Sequence, residues 1–177
     1  MKIIHGSTGS VAATVSHKWR AEYSSQGFDS VSFMQTDSAD HFTNAEAGAT
    51  VTYNTAWEWH LYHKDGIVLH INLVKNYDAL VIAPLSANTL AKIANGICDN
   101  LLTCVARAWD FNKPFIVAPA MNTNMWNHPI TKEHVDKITS WGVRVVPPVE
   151  KTLFCGDTGI GAMENIGDII SELKLIK

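Results

Sequence analysis

Asn122, in the run Pro119-Ala-Met-Asn-Thr-Asn-Met-Trp126, follows directly on an apolar stretch rich in β-branched residues. A carboxamide there can donate to a carboxylate while accepting from another group, so the position suits a ligand that carries an acid. The segment Asp78-Ala-Leu-Val-Ile-Ala-Pro-Leu-Ser-Ala-Asn-Thr89 has the same build: strand-forming residues, Ala-Pro, then small polar groups. Ser86 is a ready N-cap for a following helix. Three polar side chains in four positions exceed what capping needs, and they can meet the edge of a flat heterocycle. Trp126 reads as core packing.

Three further segments carry reactive types. Gly6-Ser-Thr-Gly-Ser10, before a helical pattern, offers backbone amides, hydroxyls and a helix N-terminus to an anion. It lacks GxGxxG and a Walker lysine, so a single phosphate and a simple tight turn are its two readings. Thr36-Asp-Ser38, at the end of the next strand pattern, offers hydroxyls to the same ligand. Cys155-Gly-Asp-Thr-Gly-Ile-Gly-Ala-Met163 reads equally as an ordinary Gly-rich loop or as a flap that orders over a ligand. Cys155 at its start is a candidate proton donor or nucleophile. His70, between apolar neighbours, reads by itself as a satisfied, partly buried histidine, and the other seven histidines read alike. No His/Cys/carboxylate grouping has metal-ligand spacing.

The elements that must hold these residues alternate along the chain. Apolar strand patterns near 2–5, 30–35, 79–83, 115–118 and 143–146 are separated by helical patterns near 11–26, from Ala87, across Asn100–Trp109, at 130–141 and from about 165. A helix or turn at 38–47 and a short extended piece at 50–53 complete the pattern. Such alternation predicts a doubly wound, Rossmann/flavodoxin-like open parallel sheet in a single domain, with a flap at about 150–164. Ligands of such sheets sit at the carboxyl ends of the strands.

Composition narrows the partners. The 177 residues are 46% hydrophobic and 18% charged, with a formal charge of -3 and no dense Lys/Arg run, so no footprint for nucleic acid exists. No apolar run reaches the roughly 18 to 20 residues that span a bilayer. Met1–His5 reads as a short strand cut off by Gly6 rather than a signal peptide core. Three cysteines without CxxC spacing suit reduced thiols, Cys98 and Cys104 in an apolar helical segment. A cytoplasmic protein is expected.

Together the motifs resemble the flavin-containing cysteine decarboxylases over nearly the whole chain, most closely the eukaryotic branch acting on 4'-phospho-N-pantothenoylcysteine. The likeness is densest in Val68-Leu-His-Ile-Asn-Leu, Ala83-Pro-Leu-Ser-Ala-Asn-Thr-Leu, Gly96-Ile-Cys-Asp-Asn-Leu-Leu-Thr-Cys, Ala118-Pro-Ala-Met-Asn-Thr-Asn-Met-Trp and the Cys155 segment. The resemblance implies FMN, with Gly9, Ser10, Thr36 and Ser38 at its phosphate and neighbouring atoms. Ser86, Ala87, Asn88, Thr89 and Ala120 would line the flavin. It makes His70 the essential acid/base, Asn122 the ligand of the substrate carboxylate, Cys155 the acid of the reducing step, and Met163 part of the covering flap. The implied reaction passes through a thioaldehyde and an enethiol to 4'-phosphopantetheine in coenzyme A biosynthesis, in a homotrimer with the flavin between subunits.

Asp37, Thr152 and Glu164-Asn165 stand where that pattern commonly has a basic residue, Arg and Ala-Glu-Pro. Three other branches fit less well. Peptidyl-cysteine decarboxylases of lantibiotic maturation stop at the enethiol and lack the Cys-Gly-Asp-Thr-Gly flap. Flavin prenyltransferases lack Met-Asn-x-x-Met-Trp. Phosphatase-regulating relatives typically lose a catalytic residue, whereas all three catalytic positions are filled here.

Overall fold

Three fully buried runs make the middle of one parallel sheet: β1 (Ile3–Ser7), β4 (Ala79–Leu85) and β5 (Phe115–Pro119). Strands covered on both faces need no polar alternation; β4 and β5 have none, and the buried His5 and Ser7 of β1 are hydrogen-bonded to the Ala83 carbonyl. The computed structural model describes residues 1–43, 52–152, 156 and 158–175. Outside the central strands lie β2 (Val31–Gln35) and β3 (Thr52–Tyr53) on one side and β6 (Arg144–Val145) on the other. The order is β3-β2-β1-β4-β5-β6, all parallel, with Ile3 facing Val31 and Ala79. The chain therefore winds outward from β1 one way and from β4 the other, and the crevice between these two strands is the topological switch point.

Successive strand residues point to opposite faces, so two cores form. On one face Ile4, Leu80, Ile82 and Val117 pack under α4 (Leu69–Asn76), α5 (Ala87–Asn95), α6 (Leu101–Ala108) and α8 (Pro129–Ser140). On the other, Ile3, Val81, Ala83 and Ile116 pack under α1 (Trp19–Ser25) and α9 (Ile166–Leu175). Full burial of a side chain such as Leu102 is worth roughly 1.5–3 kcal/mol. Gly6 leaves room for it, because a Cβ there would come within 2.8 Å of the Leu102 side chain.

Helix starts follow local capping chemistry. Asn100 accepts from the Thr103 amide at 3.0 Å while Thr103 Oγ1 accepts from the Asn100 amide at 3.2 Å, a reciprocal cap on α6. Asn54 caps α3 (Thr55–Asp65) through the Trp57 amide at 3.2 Å. Short helices α2 (Asp37–Asp40) and α7 (Thr123–Trp126) follow the ends of β2 and β5. The expected Gly-rich flap is an antiparallel hairpin, β7 (Val149–Thr152) with β8 (Thr158–Ala162), separate from the main sheet.

Several expectations need correction. The helix expected over 11–26 begins as a 3-10 helix, Val11–Lys18, and turns α-helical only at Trp19. Eight residues is long for that tighter geometry. Helices α3 and α4 were not anticipated; the first buries none of its residues, so its apolar side chains carry no helical period to read. Cys98 lies in the loop between α5 and α6 and is exposed rather than helical. Cys104 is in α6, where its Sγ donates to the Cys98 carbonyl at 3.3 Å and burial pushes its thiol up to about 11. Among the described residues no helix is long and apolar enough to cross a membrane.

Candidate active site

Three strand ends open into one cleft of about 940 Å³, within the range of small-molecule and cofactor sites. From the β1 end come Gly9 and Ser10, from the β4 end Ser86, Ala87 and Asn88, and from the β5 end Ala120, Met121 and Asn122. Hydrogen bonds tie the three mouths together. Thr8 Oγ1 donates to the Pro84 carbonyl at 2.8 Å and accepts from the Ser86 amide at 2.7 Å. Ser10 Oγ donates to the Ala120 carbonyl at 3.3 Å and accepts from the Ala12 amide at 3.3 Å, capping the 3-10 helix that forms one wall.

Gly9 has a packing reason: a Cβ there would lie 2.6 Å from Ser38 Cβ, so the β1 turn and the β2 end touch. Thr36, 6% exposed, has a buried Oγ1 with no hydrogen-bond partner. Such an orphan hydroxyl costs free energy unless something accepts from it or donates to it. Neither Thr36 nor Ser38 lines the cleft; Ser38 stands behind Gly9, which does, and Thr36 gives its amide to the Ser7 carbonyl at 3.1 Å. Thr89 is also outside it: buried at 3%, it gives its amide to Ser86 Oγ and accepts from the Ser86 hydroxyl, both at 3.3 Å. It orients Ser86 instead of facing the cavity.

Asn122 is the N-cap of α7, its Oδ1 accepting from the Asn124 amide at 2.8 Å. With the oxygen so used, the other end of the carboxamide is a donor, the polarity that a carboxylate requires. The hairpin closes the far side of the cleft with Lys151, Thr152, Gly161 and Ala162, followed by Met163. Gly161 N-terminal to that methionine gives its carbonyl to the Met121 amide at 3.0 Å. Its φ of +150° and the Met121 oxygen, 2.2 Å from where a Cβ would stand, leave room for glycine alone. Cys155 lies outside the described residues.

His70 stands apart from the cleft lined by its own chain. It sits in α4 with its side chain 26% exposed, and its Nδ1 is 2.5 Å from Glu58 Oε1. By contrast the unremarked His5 is the satisfied core histidine, fully buried in β1 with partners on both ring nitrogens. Sequence reading missed Glu58 and the wall residues Val11, Ala12 and Val15. The spacing of that last trio along one helical side was the available signal.

Apolar walls, an amide-and-hydroxyl rim, and an orphan hydroxyl at the neighbouring β2 end fit a group with a planar ring system and an anionic tail, as FMN has. The fit is to the donor set: amides and hydroxyls for a phosphate at a helix start, small side chains where a ring would pass.

Comparison with known proteins agrees with that chemistry. The family model described as Flavoprotein matches residues 1–175. Phosphopantothenoylcysteine decarboxylase of Mus musculus is 41% identical over 176 residues, covering 99% of this chain and 86% of the mouse protein. Among solved structures, a Cys-to-Ser variant of PPC decarboxylase complexed with pantothenoylaminoethenethiol matches with a TM-score of 0.93 and 43% identity, covering 98% of this chain and 96% of that one. The FMN binding protein AtHal3 matches with a TM-score of 0.89 and 44% identity over 98% of this chain and 95% of its own.

Proposed function

Because the chain belongs to the flavoprotein family, whose model spans 1–175, we propose that it decarboxylates 4'-phospho-N-pantothenoylcysteine to 4'-phosphopantetheine, a step of coenzyme A biosynthesis, with FMN as cofactor. The observation that carries this is near-complete alignment with phosphopantothenoylcysteine decarboxylases, coupled to a cleft whose rim suits a flavin. Bound FMN supplies the two-electron acceptor that the substrate lacks, turning the sulfur-bearing carbon into a sink for the electrons of the departing carboxylate.

The chain's own residues do the rest. The Gly9-Ser10 turn, backed by Thr36 and Ser38, holds the phosphate of the cofactor. Ser86, Ala87, Asn88 and Ala120 flank the ring, and Thr89 keeps the Ser86 hydroxyl in place. Asn122 binds the substrate carboxylate through its amide hydrogens, so that the breaking bond is held in one orientation. His70 acts as acid/base around the oxidation step, taking up the proton that the substrate thiol gives up. Cys155 donates a proton when the enethiol is reduced. The β7–β8 hairpin and Met163 cover the substrate and exclude water.

His70 is outside the cleft of its own chain, so a second subunit brings it to the reaction. The outer face of α3 and the start of α4 support such an assembly. Trp57, Trp59, Tyr62, Val68 and Ile71 are all exposed there, Trp59 at 59%. Clustered apolar surface of this kind marks an interaction site. A homotrimer buries it and sets each flavin between subunits. The free thiols Cys98 and Cys104 suit a reducing cytoplasm.

Mass spectrometry of the products from 4'-phosphopantothenoylcysteine tests the reading. The expected product is 4'-phosphopantetheine, and Cys155→Ser should release CO2 but stop at the enethiol. Release of enethiol by the unaltered protein would instead indicate the peptidyl-cysteine type of chemistry, and no turnover would remove the enzyme assignment altogether.

A further inference from the structure

Helix α3 turns three half-buried side chains inward, Thr55, Glu58 and Leu61, at a spacing of three residues. Leu61 packs on the core beneath the sheet-covering helices. Glu58, between them, is a carboxylate with a side chain only 12% exposed. A carboxylate on the inward stripe of a helix is costly to desolvate without a partner. Its partner is His70 on α4, with Oε1 2.5 Å from Nδ1. An ionised carboxylate only accepts, so Nδ1 carries the proton in this pair and Nε2 is left as the basic atom. Among the described residues Nε2 has no hydrogen bond within the chain.

We infer that Glu58 is the positioning residue of His70: it fixes the ring's tautomer and rotation so that Nε2 is the atom offered to the substrate. The inference rests on His70 being the acid/base of the proposed reaction. A free imidazole divides its proton between two nitrogens and rotates about two torsions. A ring pinned through Nδ1 presents one lone pair in one direction, which lowers the cost of reaching the reactive geometry. Glu58 touches neither substrate nor cofactor, so its effect is carried entirely by the histidine.

Two measurements on the flavin-loaded protein test this. In the first, ¹⁵N ring shifts of labelled histidine are recorded at pH 8, with His70→Asn assigning the signal. The wild-type ring should be the Nδ1–H tautomer, and Glu58→Leu should move it toward Nε2–H. An unchanged tautomer in Glu58→Leu overturns the inference. Glu58→Met, which keeps the length of the side chain but offers no oxygen to accept from Nδ1, carries the same readout should the leucine variant fold poorly.

In the second, flavin bleaching by substrate is followed anaerobically in a single turnover. Glu58→Met should slow the limiting rate about 10- to 100-fold, as loss of an orienting partner typically does, with half-saturation by substrate changed less than twofold. Adding Glu58→Met to His70→Asn should slow it no further. Wild-type bleaching by Glu58→Met, with His70→Asn inert, removes Glu58 alone. Full bleaching by His70→Asn removes the acid/base reading of His70, and the inference with it.

Discussion

At β1, His5 lies fully buried with its ring centroid 4.3 Å from that of Trp19. Nε2 is 2.9 Å from the Ala83 carbonyl and Nδ1 is 3.1 Å from the Tyr23 hydroxyl. A carbonyl only accepts, so Nε2 carries the hydrogen and the neutral ring takes one from Tyr23. Burial lowers its pKa from 6.5 to about 3, against the smaller opposing pull of the Ala83 carbonyl. Between those values the unfolded chain binds a proton that the folded chain refuses, so stability falls as pH drops from 6.5 toward 3. Above 6.5 the group is neutral in both states and contributes no pH dependence. The slope from this group approaches about 1.4 kcal/mol per pH unit inside the window. His5→Phe should therefore be less stable at pH 7.5, by about 1–3 kcal/mol for two unsatisfied partners, yet flatter from pH 6 to 4 in urea denaturation. Parallel wild-type and variant curves over that window would show that His5 is not held neutral. Residue types alone do not distinguish His5 from His70, since each sits among apolar neighbours in the sequence. What separates them is the partner, a carbonyl and a phenol in one case and a carboxylate in the other.

The elements show how a loop-like sequence acquires a fixed position. Gly-rich 156–163 was legible as a segment able to cover a ligand, but its pairing as a hairpin was not, because three glycines remove the side-chain alternation that marks strands. Tertiary contact anchors it instead. The Gly161 carbonyl accepts from Met121 at 3.0 Å, at a backbone φ of +150°. Gly161→Ala must push β8 off the Met121 oxygen in addition to straining φ, whereas Gly27→Ala, at φ +86° with nothing within 4 Å, meets only the backbone term. The control should cost about 1 kcal/mol. Gly161→Ala should raise KM for the substrate at least tenfold and speed limited proteolysis between β7 and β8. Unaltered KM and cleavage rate would mean that the hairpin does not rest on Met121. The central strands were readable as short, mostly apolar runs buried on both faces, and α5, α6, α8 and α9 because burial of one face imposes a period. Helix α3 was not readable, since Trp57, Trp59 and Tyr62 face outward on this chain.

On the scale of the molecule, that same α3 face accounts for the unread helix. In the proposed trimer another subunit covers its aromatic residues, and such a helix follows the period of an interface, not of its own core. Trp59→Glu places a charge on the patch and should shift sedimentation from trimer to monomer at micromolar protein, with loss of flavin and of turnover. A monomeric wild type that is yellow and active would dismiss the shared site. The paired strand mouths were legible because each strand and the loop that follows it are contiguous in the chain. The cleft was not, because its walls come from the first helix, three strand ends and the hairpin together.

The sequence by itself determined the parallel sheet, the three polar loops at its strand ends and the donor types in them, since these follow from local burial, capping and glycine content. Only the tertiary structure decided that Thr89 steadies Ser86 from outside the cleft, that Thr36 keeps a buried, unpartnered hydroxyl at the end of β2, and that His70 is gripped by Glu58 away from the cavity of its own chain. Those outcomes depend on which elements pack together, and contacts between distant segments are set by the packing of whole faces, on which no single stretch of residues reports.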